Sequence, residues 1–205
     1  MGVALPWEET VAKAVARIRS FSEGDRGVLD VIACGSRAIP SLRELLFSID
    51  SSGIPDARIR AVEALHALGA QETLIDFLTA RHFVADPVAQ LEEDAVVSAA
   101  ARKLDNPADD RILTLLLELA RDRLLAGLIS ALGRTMRQEA IPELVRALAE
   151  DETRHEAENA LRNFGAAARA ALVIASAEQP FAGEIETESH SRQRRSALKL
   201  LSEIG

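Results

Sequence analysis

Residues 140–148 read Ala-Ile-Pro-Glu-Leu-Val-Arg-Ala-Leu, and residues 38–45 read Ala-Ile-Pro-Ser-Leu-Arg-Glu-Leu. The two stretches share one pattern, and their prolines, Pro40 and Pro142, stand 102 residues apart, which is three times 34. A period of this length is typical of chains built from repeated structural units. Proline suits the first turn of a helix, because its missing N–H would be unpaired there in any case. The pattern therefore predicts that a helix begins at each copy.

A second mark recurs with the same period. Residues 64–69 read Ala-Leu-His-Ala-Leu-Gly, and residues 128–133, 160–165 and 200–205 carry related endings that also close on glycine. Cys34-Gly35 and Leu104-Asp105 fill the two remaining places, so the marks fall at 35, 69, 105, 133, 165 and 205, with a mean spacing of 34. Glycine accepts the left-handed conformation that often ends a helix. Each unit is therefore predicted to hold a first helix that opens near Ile-Pro and a second helix that ends at the mark.

The composition also favours helices. Hydrophobic residues make up 48% of the chain but aromatic residues only 3%, and there is no tyrosine. The core must therefore be filled by Ala, Leu, Ile and Val, of which Ala and Leu are strong helix formers. Before the first repeat, residues 6–21 and 25–34 predict two more helices, the first with Trp7, Val11 and Ile18 on one face.

The repeated pattern resembles the short HEAT-like repeat of α-solenoids and of repeat proteins of the bilin-lyase type. The resemblance implies an all-α fold, a right-handed α-α superhelix of about five helical hairpins over residues 36–205, with an atypical N-terminal helical hairpin at residues 1–35 as its cap. We expect residues 1–205 to form a single domain. A tetratricopeptide array has a similar period, but its Trp and Tyr signature is missing here. Residues 82–90 and 178–190 exceed the repeat and are expected to be solvated loops.

Charge and cysteine content restrict the partners and the compartment. The net charge is −8, which repels phosphate backbones and disfavours nucleic acid. The only cysteine, Cys34, cannot form a disulfide within the chain, which fits a reducing compartment. The first residues lack the features of a secretory signal, and no apolar stretch is long enough to span a bilayer. We expect a cytoplasmic protein with no membrane partner.

The sequence carries no convincing catalytic set. Neither a Gly-rich phosphate loop nor a Gly-x-Ser-x-Gly nucleophile elbow occurs. His155-Glu156 begins like a zinc-protease motif, but Asn159 stands where the second histidine is needed. Residues 196–199 match Ser-x-x-Lys without its companion motifs, and Cys34 ends an apolar stretch that suits a buried structural thiol. We therefore expect no cofactor, no metal and no enzymatic activity.

By the HEAT-like pattern, an arginine near the start of the second helix falls at Arg58, Arg154 and Arg194, whereas Asp94 and Asp122 hold that place in two units. In such arrays this arginine often pairs with an acidic group of the adjacent unit, so Arg58 with Asp94 and Asp122 with Arg154 are the expected pairs. Alternatively, these residues line a groove and bind a partner's charged groups. The candidate binding set on the concave face is Arg58, His66, Asp94, Asp122, Arg154, Arg162 and Arg194.

Three functions follow from these observations. The first is a non-enzymatic protein–protein interaction module or scaffold, whose partner is another protein. The second, implied by the resemblance, is a bilin- or chromophore-lyase-like or chaperone-like subunit. The third is a HEAT-like DNA glycosylase, which the acidic charge disfavours and for which the only tryptophan, Trp7, lies in the predicted cap.

Overall fold

Helices form all the regular structure that the computed structural model describes, at residues 6–48, 55–80, 82–177 and 187–204. The predicted all-α class is confirmed. Most helices pack against their neighbours in sequence. The chain divides into two compact units, Met1–Asp105 and Asn106–Gly205.

The first unit contains helices from the cap and from the first two predicted repeats. Their bounds are α1 Pro6–Ile18, α2 Gly24–Ala33, α3 Ile39–Phe47, α4 Asp56–Ala67, α5 Gln71–Thr79 and α6 Pro87–Arg102. Helix α2 packs against α4, and α4 against α6, while α3 contacts both α1 and α5. The helices thus alternate between two rows, and the core between the rows includes Ile18, Leu42, Leu65 and Leu74, which are fully buried.

The second unit repeats this arrangement. Its helices are α7 Asp110–Asp122, α8 Ala126–Thr135, α9 Ile141–Arg146, α10 Asp151–Phe164, α11 Arg169–Ala177 and α12 Glu188–Ile204. Helix α10 packs against both α8 and α12, and α9 contacts both α7 and α11. Leu116, Leu144, Leu161 and Leu200 are fully buried within the unit.

The predicted start signals are confirmed. Pro40 and Pro142 lie in the first turns of α3 and α9. A 3-10 turn precedes each of these helices, at Gly35–Ala38 and Gln138–Ala140. The apolar faces of α9 and α10 are buried, including Leu144 and Leu161.

The predicted stop signals are confirmed only in part. Gly165 ends α10 with φ +53° and ψ −127°, a conformation that only glycine adopts easily. Gly133, by contrast, lies inside α8, which ends at Met136 with φ +53°. A Cβ atom on Gly133 would lie 2.6 Å from the Cβ of Ala160. Gly133 therefore serves close approach between α8 and α10, and its predicted role as a helix stop was wrong.

The first predicted loop differs from expectation, and most of the second lies outside the described residues. The segment 82–90 is not a wholly solvated loop, because His82 is buried and α6 already begins at Pro87. Residues 178–186 of the second loop fall outside the described residues, and α12 begins at Glu188. Among the described helices, none combines the length and the apolar character needed to cross a membrane.

Candidate functional site

Polar side chains of later helices bond the carbonyl groups at the ends of earlier ones. Arg58 Nε donates to the carbonyl of Leu46 near the end of α3 at 2.8 Å, and Arg60 Nη1 donates to that of Ile18, the last residue of α1, at 3.3 Å. Arg146 likewise donates to Ala120 near the end of α7. The last carbonyls of a helix have no partner within it, and the negative end of the helix dipole attracts a cation. These arginines therefore join α4 to α3 and α1, and α9 to α7.

The most buried polar cluster joins Arg58, Glu93 and His82. Arg58 Nη1 lies 2.6 Å from Glu93 Oε2, and His82 Nδ1 lies 2.6 Å from Glu93 Oε1. The three residues are only 6%, 3% and 8% exposed. The Arg58 guanidinium also lies over the ring of Phe77, 5.6 Å from its centroid. A carboxylate of α6 thus links α4 to the segment between α5 and α6.

Two short contacts hold the ring of His82. Its Nε2 lies 2.7 Å from the carbonyl oxygen of Phe77, which can only accept a hydrogen bond. Its Nδ1 faces the carboxylate of Glu93. Burial raises the pKa of Glu93, but hydrogen bonds from His82 and Arg58 lower it further, leaving it at about 2. The cluster therefore holds an ionised carboxylate between the buried side chains of Arg58 and His82.

The expected partner of Arg58 was off by one residue. Arg58 pairs with Glu93, whereas Asp94 accepts a hydrogen bond from Gln90 at 2.8 Å. A signal for this exists in the sequence, because Glu93 shares a helical stripe with the buried Val96 and Val97. A carboxylate on an apolar stripe requires a buried partner. Arg58 is thus bonded in the interior rather than presented on a surface.

A second polar cluster lies between α10 and α12. Glu158 accepts hydrogen bonds from Lys199 Nζ at 2.8 Å, Ser196 Oγ at 3.1 Å and Arg162 Nη2 at 3.2 Å. Burial raises the pKa of Glu158, and the bonds from Lys199 and Ser196 lower it to a net value below its ordinary range. Arg162 also binds Glu203 at 2.7 Å, which raises the pKa of Arg162. The match of residues 196–199 to Ser-x-x-Lys thus coincides with an interhelical contact.

An open groove in the second unit, which we call the arginine groove, has a volume of about 600 Å³. Its lining combines cations with carboxylates: Arg121, Arg123, Arg146, Arg192, Asp122, Glu150, Asp151 and Glu152. Asp151 binds both Arg154 at 2.9 Å and Arg192 at 3.2 Å. Arg121 has a side chain that is 65% exposed.

Asp122 and Arg154 do not form the predicted ion pair. Asp122 is the last residue of α7, the first helix of its hairpin, and not a residue near the start of the second. Arg154 pairs with Asp151 on its own helix and not with Asp122. The assignment failed because Asp122 ends α7 and precedes the connection to α8.

The other predicted site residues are spread over the two units. In the first, the half-buried His66 lies 3.2 Å from Gln71 Nε2 and 3.9 Å from Asp105 Oδ1. In the second, Arg162 belongs to the Glu158 cluster and Arg194 lies on α12. Of the predicted site residues, Asp122 lines the arginine groove and Arg154 pairs with Asp151, which also lines it, while their role in binding stays a prediction.

Within the described residues, no group of three or more His, Cys, Asp or Glu side chains could hold a metal ion. The Cys34 thiol is half-buried and donates to the carbonyl of Asp30 at 3.3 Å. His155 bonds Asn159 at 3.1 Å on the surface of α10.

Comparison with known proteins identifies no family. No family model matches the chain, and no curated protein is significantly similar to it in sequence. The described residues form an all-helical protein of two compact units.

Proposed function

We propose that both units are built from HEAT-like helical repeats and that the chain is a non-enzymatic module that binds another protein. Two observations support the repeat assignment. Within each unit the helices alternate between two rows. Helices α4 and α10 end close to the marks at 69 and 165 that the period predicts. A hairpin of this kind buries its faces only by stacking on its neighbours, which leaves one surface free for a partner.

The main support for a binding function comes from the arginine groove. Arg58, which joins helices in the interior, is buried and donates to the Leu46 carbonyl and to Glu93. The groove instead presents exposed charges of both signs, among them Arg121 and Asp122. Arginine offers five donors in a planar fork, which suits recognition of carboxylates and backbone carbonyls. We infer that the partner is a protein segment with charges of both signs.

Affinity capture with charge-reversed baits tests this proposal. The baits are the wild-type chain, Arg121→Glu in the groove and Arg169→Glu as the matched control. Arg169 is an exposed residue at the start of α11 that does not line the groove. We expect quantitative mass spectrometry to find a partner that the wild type and Arg169→Glu retain and that Arg121→Glu loses at least tenfold. Equal capture by all three baits, or no specific partner for the wild type, would contradict the proposal.

A further inference from the structure

A second groove lies on the N-terminal hairpin, between α1 and α2, and we call it the Trp7 groove. Its volume is about 550 Å³. Trp7 of α1 and Ala33 of α2 contribute exposed apolar surface to it. It differs from the arginine groove in its unit and in its excess of cations, since the charges that line the arginine groove balance.

The charge of the Trp7 groove is opposite to that of the whole chain. Three cations line it, Lys13, Arg17 and Arg37, against the single carboxylate of Asp30. That carboxylate is already bound to Arg17 at 2.5 Å. Among the described residues, neither Lys13 nor Arg37 forms an ion pair, although the chain carries a net charge of −8. The groove therefore presents two exposed cations whose complement is a pair of carboxylates.

An aromatic side chain stands at the rim between these cations and the apolar surface. Trp7 remains 39% exposed, although its helical stripe continues into the buried Val11 and Ile18. The Arg37 guanidinium lies 5.7 Å from the centroid of a Trp7 ring, within range of a cation–π contact. Such a contact orients both groups and leaves the other parts of the indole surface open. Exposed tryptophan beside arginine is the composition that dominates protein–protein binding energy.

We propose that the Trp7 groove binds a protein segment that presents an apolar side chain flanked by carboxylates. The apolar side chain lies against Trp7 and Ala33, and the carboxylates pair with Lys13 and Arg37. Apolar contact gives the affinity, and the two cations select the acidic flanks and reject basic segments. This site goes beyond the interaction function proposed for the arginine groove, because it lies in the other unit and specifies the chemistry of its ligand.

The fluorescence of Trp7 can report binding to this groove. Trp7 is the only tryptophan and the chain has no tyrosine, so emission excited in the indole band comes from the groove alone. The probe is a short synthetic peptide with Leu-Phe at its centre and Asp or Glu on both sides. Two matched peptides replace Leu-Phe by Ser-Ser or the acidic flanks by Lys and Arg. Heparin serves as a polyanion without an apolar anchor.

We expect a saturable change in Trp7 emission with the acidic Leu-Phe peptide and at least tenfold weaker binding of the two matched peptides. The double variant Lys13→Glu/Arg37→Glu should weaken binding at least tenfold, whereas Arg26→Glu should not. Arg26 is an exposed residue of α2 that does not line the groove. Circular dichroism checks that all variants keep their helix content.

Cys34 supplies an independent measurement. It lines the groove and is the only cysteine, so its rate of reaction with a thiol reagent should fall severalfold when the peptide is bound. Absence of saturable binding, equal binding of the Ser-Ser peptide or of heparin, or unchanged affinity of the double variant would each overturn the proposal. None of these outcomes bears on the arginine groove, whose test uses variants in the second unit.

Discussion

Replacing Glu93 by glutamine removes one charge from the buried cluster and almost no volume. Arg58 and His82 then remain buried without the carboxylate that both of them bind. The amide group of glutamine is neutral, so the buried Arg58 guanidinium loses the opposite charge with which it pairs in the wild type. We expect Glu93→Gln to destabilise the first unit at neutral pH without changing its fold.

The size of the loss can be worked out from the carboxylate itself. Its pKa lies at about 2, compared with an ordinary value of 4.5. Each tenfold step in proton affinity is worth about 1.4 kcal/mol, so this gap corresponds to roughly 3 kcal/mol of folding free energy. Removal of one partner of a buried ion pair typically costs about 3–5 kcal/mol. Both estimates place the cost of Glu93→Gln near 3 kcal/mol.

The Glu93 carboxylate also makes the folding stability depend on pH. Because the pKa of Glu93 is lower in the folded chain than in the unfolded chain, its stabilisation is complete above pH 4.5 and is lost as the pH falls towards about 2. The variant has no group to protonate at this position. The difference in stability between the wild type and Glu93→Gln should therefore be largest at neutral pH and shrink through this window.

Urea unfolding followed by Trp7 emission and by circular dichroism measures the effect, and the emission reports on the first unit alone. Glu92→Gln is the matched control, since Glu92 is the preceding residue of α6 and is only half-buried. A loss below about 0.5 kcal/mol for Glu93→Gln, or an equal loss for Glu92→Gln, would refute the assignment of a buried, doubly bound carboxylate.

Three further substitutions test the helix ends and the closest helix contact by urea unfolding. Gly133→Ala should cost about 1–3 kcal/mol, because the new Cβ meets that of Ala160 at 2.6 Å; a gain of up to about 1 kcal/mol, as helix propensity alone predicts, would contradict the close contact. Gly165→Ala should cost about 1–3 kcal/mol through backbone strain alone, since no atom lies within 4 Å of the added Cβ. Asp109→Ala should cost about 1 kcal/mol, because the Asp109 carboxylate caps the backbone N–H groups of Arg111 and Ile112; Asp109→Asn should keep most of that stability.

The sequence predicted the helices better than it predicted the site. Helix starts at Pro40 and Pro142 and the stop at Gly165 depend on the backbone preferences of single residues, which act locally. The partner of Arg58 depends on which face of α6 meets α4. A shift of one residue turns a side chain by about 100° around a helix, and this is why Glu93 rather than Asp94 reaches Arg58.

The amino-acid sequence by itself determined the helical class, the helix starts near Pro40 and Pro142 and the helix end at Gly165. These features follow from local propensity and from the apolar stripe that each helix must bury. Only the tertiary structure decided that Gly133 serves helix contact, that His82 is buried against Glu93, and that Trp7 stays exposed beside Arg37. Each of these depends on residues far apart in the chain, whose distance is fixed when helices pack and which no local pattern can specify.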